Sequence, residues 1–86
     1  MNLQEVLNAV CNGNSDNKTS QKLGISRTMF SKYRNGHKIP SDKMLDKMVE
    51  LSGLEACQVY LAAYAERVDN PEVAEQFRRI NTVDLH

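Results

Sequence analysis

Four side chains in a run of six, Arg27, Thr28, Ser31 and Lys32, hold the clearest chemistry in this sequence. On a helix these positions share one side, so that side carries two cations and two small hydroxyls. A guanidinium offers five N–H donors in a planar fork and an ammonium offers three, and neither accepts. Such a face suits phosphate oxygens. A merely solvated basic surface is the plainer alternative, because such surfaces are common.

The charge around these residues sharpens the point. The chain has 11 basic and 11 acidic residues and no net charge. Yet residues 18–43 hold Lys18, Lys22, Arg27, Lys32, Arg34, Lys38 and Lys43 against Asp42 alone. The first 17 residues contribute Glu5 and Asp16, and residues 44–86 carry twice as many acids as bases. A basic segment in a neutral chain reads as a surface for phosphate, with the acidic remainder facing elsewhere.

Other chemistries find little support. Cys11, Cys57, His37 and His86 are scattered and lack the paired spacing of a zinc site. Free thiols in a reducing cytoplasm are the natural reading of the two cysteines. No nucleophile stands beside a base, no carboxylates pair, and no glycine loop is built to cradle phosphate. The sequence therefore predicts no enzyme, no metal and no cofactor. Met29, Met44 and Met48 fall at helical spacing and read as packing. His37 reads as a surface residue in the loop after Gly36, and His86 as a chain end.

These side chains must be positioned by a small fold. Eighty-six residues, 41% of them hydrophobic and 26% charged, make one small globular domain. No apolar run reaches the roughly 18–20 residues of a membrane span, and no secretory leader is visible. No segment alternates as a strand does, so the expected fold is all-α, with five to six helices. Leu3, Val6, Leu7 and Val10 follow the spacing of a one-faced helix that Asn2 can cap and Gly13 can end. Ser15 can cap a short, polar second helix ending near Leu23, with Thr19 and Ser20 inside it. Gly24 breaks the chain, Ser26 caps a third helix with Met29, Phe30 and Tyr33 on one side, and Asn35-Gly36 stops it ahead of Pro40. The spacing of Tyr33 from Phe30 places it in the core. Ser41 and Asp42 open a fourth helix with Met44, Leu45, Met48, Val49 and Leu51 as its buried stripe. Gly53 punctuates. A fifth helix, about 54–68, is apolar nearly all round and so needs two packing partners. Asn70-Pro71 starts a sixth whose stripe is Val73, Phe77 and Ile80.

A short helix, a turn containing Gly24 and a second capped helix make a helix-turn-helix arrangement over about residues 16–35. The stretch Leu23-Gly24-Ile25-Ser26-Arg27-Thr28-Met29-Phe30-Ser31-Lys32-Tyr33-Arg34-Asn35-Gly36, followed by Pro40, resembles the helix-turn-helix of lambda-repressor/Cro-type (XRE-like) proteins. The resemblance covers about residues 3–54. Thr19-Ser20 departs from it, since the family usually has an apolar residue and then Ala. A narrower likeness lies in Glu66-Arg67-Val68-Asp69-Asn70-Pro71-Glu72-Val73, with Phe77 beyond. It is similar to the tail of small repressors carried by filamentous phages and prophages.

The resemblance implies that the third helix lies in the major groove of double-stranded DNA. It implies base contacts from Arg27, Thr28, Ser31 and Lys32, with Arg27 bridging guanine O6 and N7. It implies phosphate contacts from Asn17, Lys18, Ser26, Asn35 and Lys38, which set register rather than sequence, and places the loop residue His37 near the DNA backbone. Residues 1–53 would then form the DNA-binding core and residues 54–86 the C-terminal helices of the same compact domain. One face of the fifth helix should cover Met44, Met48 and Leu51. The surplus apolar residues Tyr60, Leu61, Tyr64, Val68, Val73 and Phe77 are expected to pair two copies as a homodimer. The expected function is a cytoplasmic, sequence-specific transcription regulator of a bacterial host, most simply a phage or prophage repressor on a palindromic operator. No membrane and no small-molecule ligand is expected. A protein-interaction module on the same fold, such as an antitoxin or anti-regulator, is the alternative.

Overall fold

The computed structural model describes the backbone of residues 1–83 and the side chains of residues 1–79. The side chain of Ile80, assigned to the stripe of the sixth helix, and the whole of His86 lie outside the described residues. Six helices follow in order: α1 (Leu3–Cys11), α2 (Asp16–Leu23), α3 (Arg27–Arg34), α4 (Asp42–Ser52), α5 (Ala56–Ala65) and α6 (Pro71–Val83). Among the described residues there is no strand, so the fold is all-α.

Local chemistry sets the helix starts. Asn2 accepts from the Glu5 N–H at 2.9 Å, and the Glu5 side chain accepts in return from the Asn2 N–H at 3.1 Å, which is the reciprocal capping box. Ser15, Ser26 and Ser41 each accept from the N–H three residues on, at 3.1, 3.0 and 3.3 Å. At α6 the Asn70 side chain accepts from the Glu72 and Val73 N–H groups, at 2.9 and 3.4 Å, while Pro71 fills a first-turn position that has no hydrogen bond to lose. The α1 terminus differs from expectation. Asn12 itself takes the left-handed conformation (φ 46°) one residue before Gly13, which asparagine tolerates better than most residues.

One core joins five of the helices. Leu3, Val6, Leu7, Val10 and Cys11 from α1 meet Leu23 of α2, Phe30 and Tyr33 of α3, Leu45 and Met48 of α4, and Val59, Ala62 and Ala63 of α5. The core therefore runs across the division expected at residue 53, and α5 is part of what holds the helix-turn-helix in place. Thr19 and Ser20 are fully buried despite their polarity. Their hydroxyls donate back to the helix, Thr19 to the Ser15 carbonyl at 2.9 Å and Ser20 to the Asn17 carbonyl at 2.7 Å. Small side chains that satisfy themselves this way can occupy a close helix contact without an unpaired buried donor.

The fourth and fifth helices depart from the sequence expectation. Leu51 is 37% exposed rather than part of the buried stripe, and α5 does not cover it. The regular part of α5 is Ala56–Ala65, shorter at both ends than 54–68, with the Gln58 side chain accepting from the Glu55 N–H at 3.1 Å. Its two apolar faces are both taken within the chain, one by α1 and α4 and the other by α6. An amphipathic helix that follows in sequence is the nearest available cover, and α6 supplies it.

Candidate nucleic-acid interface

The turn between α2 and α3 is built from the ends of both helices. Gly24 adopts φ +75°, and its N–H donates to the Gln21 carbonyl at 3.1 Å while Ile25 N–H donates to the Ser20 carbonyl at 3.0 Å. This paired arrangement closes a helix through a left-handed residue, where glycine carries no Cβ penalty. Lys47 reaches from α4 and donates to the Leu23 carbonyl at 3.3 Å, adding a cation at the negative end of α2. The same closure ends α3, with Gly36 at φ +74° and His37 N–H donating to the Lys32 carbonyl at 2.9 Å. His37 is thereby folded back against the helix it follows.

Phe30 and Tyr33 face inward and fix the rotation of α3. Burial pushes the Tyr33 phenol above its ordinary pKa. The opposite side of the helix is open. Arg27, Thr28, Ser31 and Lys32 are all exposed and line one concavity together with Asn35 and His37. Within it the Asn35 amide donates to the Ser31 hydroxyl oxygen at 3.2 Å, which leaves the Ser31 O–H to donate outward. The four residues expected at base edges are therefore brought together. Asn35, expected at phosphate, shares the concavity with them. His37, expected at the surface near the DNA backbone, belongs there too.

The remaining phosphate candidates flank this surface. Asn17 and Lys18 are exposed in the first turn of α2, where early N–H groups precede the internal ladder and favour an anion. The Ser26 hydroxyl oxygen caps α3 at Met29, so its own hydrogen is what remains to donate. Lys38 is exposed on the loop after α3. Among the described residues Lys18, Lys22, Arg27, Lys32, Lys38 and Lys43 have no ion pair, so six of the seven basic residues in 18–43 are open to an external anion.

Arg34 is the exception. Its guanidinium donates to Asn8 Oδ1 at 2.6 Å and Asp16 Oδ1 at 3.1 Å, and it lies 3.4 Å from Cys11 Sγ and 5.5 Å from the centroid of the Phe30 ring. Its carbonyl accepts from Gln4 Nε2 at 2.7 Å. Arg34 thus ties α3 to α1 and α2, and it neutralises the one acid in the first turn of α2.

The expected pairing residues divide in two. Tyr60 and Tyr64 are half-buried against the core, and both hydroxyls reach α4. Tyr60 donates to Asp46 Oδ1 at 2.5 Å and lies 3.2 Å from the Asp42 carbonyl oxygen, while Tyr64 donates to Asp42 Oδ1 at 3.0 Å. The hydrogen bond to Asp46, with burial and the charges of Asp46 and Asp42, pushes the Tyr60 phenol up to about 12. Tyr64 is raised by the Asp42 hydrogen bond first, then by burial and the Asp42 charge, and Arg67 opposes the shift. Arg67 stacks over the Tyr64 ring at 4.9 Å and donates to the Pro40 carbonyl at 3.2 Å. Leu61, Val68, Val73 and Phe77 are half-buried on α5, α6 and the link between them.

Leu51 is the one large hydrophobic residue exposed among the described residues. The apolar excess expected on the C-terminal helices is therefore largely absorbed by packing α6 on α5. No three His, Cys, Asp or Glu side chains among the described residues come together as a metal site, and no described helix is long and apolar enough to cross a membrane. Comparison with protein-family models, with curated proteins and with solved structures gives no match to this chain.

Proposed function

We propose that this protein is a sequence-specific regulator of transcription that binds double-stranded DNA through the outward face of α3. One observation supports the reading above the others. Arg27 and Lys32 stand unpaired in a concavity with Thr28 and Ser31, on a helix whose opposite face is anchored by Phe30 and Tyr33. A rigid helix presenting unpaired donors matches the base-edge acceptors that the major groove shows between two phosphate rails. The six unpaired basic residues of 18–43 give the surface its attraction for those rails.

The protein acts as a homodimer on a two-fold operator. One such helix meets too few base pairs to single out a site in a genome, and two half-sites about one helical turn apart supply the rest. The half-buried Leu61, Val68, Val73 and Phe77 are the apolar side chains at hand for that contact. Repression by occupancy needs nothing beyond DNA binding, in keeping with the likeness to phage and prophage repressors.

Reading and holding separate by mutation. Arg27→Ala lowers affinity for the preferred site by about 1–3 kcal/mol and relaxes discrimination at one base position. Lys38→Ala weakens preferred and random duplexes about equally, as expected of a phosphate contact. Equal behaviour of the two variants would remove α3 from the reading role.

A further inference from the structure

We infer that the α3 concavity selects guanine at two positions of each half-site, about two base-pair steps apart. The inference rests on the DNA reading above and concerns the chemistry of the same surface. Adenine and cytosine each show a hydrogen-bond donor in the major groove, and a site that prefers them must answer with a committed acceptor. Among the six lining residues there is no carboxylate. The Ser31 oxygen already accepts from Asn35. The acceptors the concavity keeps, among them the second Ser31 lone pair, the Thr28 hydroxyl and the Asn35 amide oxygen, are uncharged.

The charged groups of the concavity, Arg27 and Lys32, are pure donors and are unpaired among the described residues. Guanine alone offers two acceptors, O6 and N7, on its major-groove edge. A charged donor gains most against such a pair, since charge-assisted hydrogen bonds are about twice as strong as neutral ones. Spacing follows from the helix. Arg27 and Lys32 are five residues apart, about 7.5 Å along the axis at roughly 1.5 Å per residue. Base pairs stack at about 3.4 Å, so the two side chains reach bases about two steps apart. Thr28, with a methyl and a hydroxyl, adds a thymine-methyl contact beside Arg27.

The test begins with selection of bound sequences from a duplex pool randomised over 20 base pairs, using the full-length protein. Each guanine of the recovered site is then replaced by 7-deazaguanine, which removes the N7 acceptor and leaves Watson–Crick pairing intact. The expected result is a loss of roughly 5- to 100-fold at two guanines per half-site, about two steps apart. Arg27→Ala should abolish the sensitivity at one of them and Lys32→Ala at the other. Both residues are exposed, and circular dichroism confirms that each variant keeps its helices. A recovered site whose half-sites lack guanine, or one whose affinity is unchanged by every 7-deaza substitution, overturns the inference while leaving DNA binding intact. Failure to retain any duplex at low salt overturns the DNA reading itself, and this inference with it.

Discussion

Replacing Arg34 by Met should cost stability rather than only affinity, although Arg34 lies in the same basic run as the candidate DNA contacts. The magnitude follows from what its guanidinium touches. The pair with Asp16, whose side chain is half exposed, contributes about 0.5 kcal/mol. The hydrogen bond to Asn8 adds about 1 kcal/mol, and the contact over Phe30 about 0.5 kcal/mol. Met keeps most of the stem packing, so the loss is about 2 kcal/mol in all. For a domain of this size, with a urea dependence near 1 kcal/mol per molar, the unfolding midpoint falls by about 2 M. Urea unfolding followed by circular dichroism measures this, with Arg27→Met as the exposed control expected within about 0.5 kcal/mol of the parent. Adding Asp16→Asn to both backgrounds isolates the ion pair, whose coupling should be only about 0.5 kcal/mol. An Arg34→Met protein as stable as the Arg27→Met control would refute the clamp.

Two other expectations concern hydroxyls elsewhere in the fold. Ser20→Ala should be neutral or slightly stabilising, because the lost hydroxyl only doubled a bond to a helix carbonyl and Ala is the better helix former; urea unfolding shows the sign. Tyr60→Phe removes a donor whose folded pKa, about 12, exceeds the phenol's unfolded value near 10. The folded state therefore holds the proton more tightly, and the stabilisation is complete below pH 10 and lost as pH climbs toward 12. The stability gap between parent and variant, read by thermal unfolding across that window, should narrow with rising pH, and a constant gap would contradict the Asp46 assignment.

Much of the fold was legible because helix starts are local events. Asn2, Ser15, Ser26, Ser41 and Asn70 announce their roles within three residues of chain, and Gly24 and Gly36 mark where the backbone must turn left-handed. The outward face of α3 was legible for the same reason, since Phe30 and Tyr33 fix which side remains. What escaped depends on distant partners. Nothing near Arg34 in sequence reveals that Asn8 and Asp16 will receive it, so it counted with the open cations. The two apolar faces of α5 announced a need for two partners but not that α6 would be one of them. Tyr60 and Tyr64 looked surplus because their hydroxyl acceptors, Asp46 and Asp42, lie on another helix. His37 was expected near the DNA backbone, and its place in the concavity itself follows from the way α3 closes on the Lys32 carbonyl.

The proposed function makes α3 and the basic residues around it a surface for duplex DNA. The most direct measurement is fluorescence anisotropy with a labelled 20-base-pair duplex of random sequence, titrated at several salt concentrations between 50 and 300 mM. Each neutralised phosphate contributes about −0.9 to the slope of log affinity against log salt. With about four contacts in each of two subunits the predicted slope is about −7. A slope near zero, or no binding at 50 mM salt, would rule out this DNA surface and point to a protein partner instead.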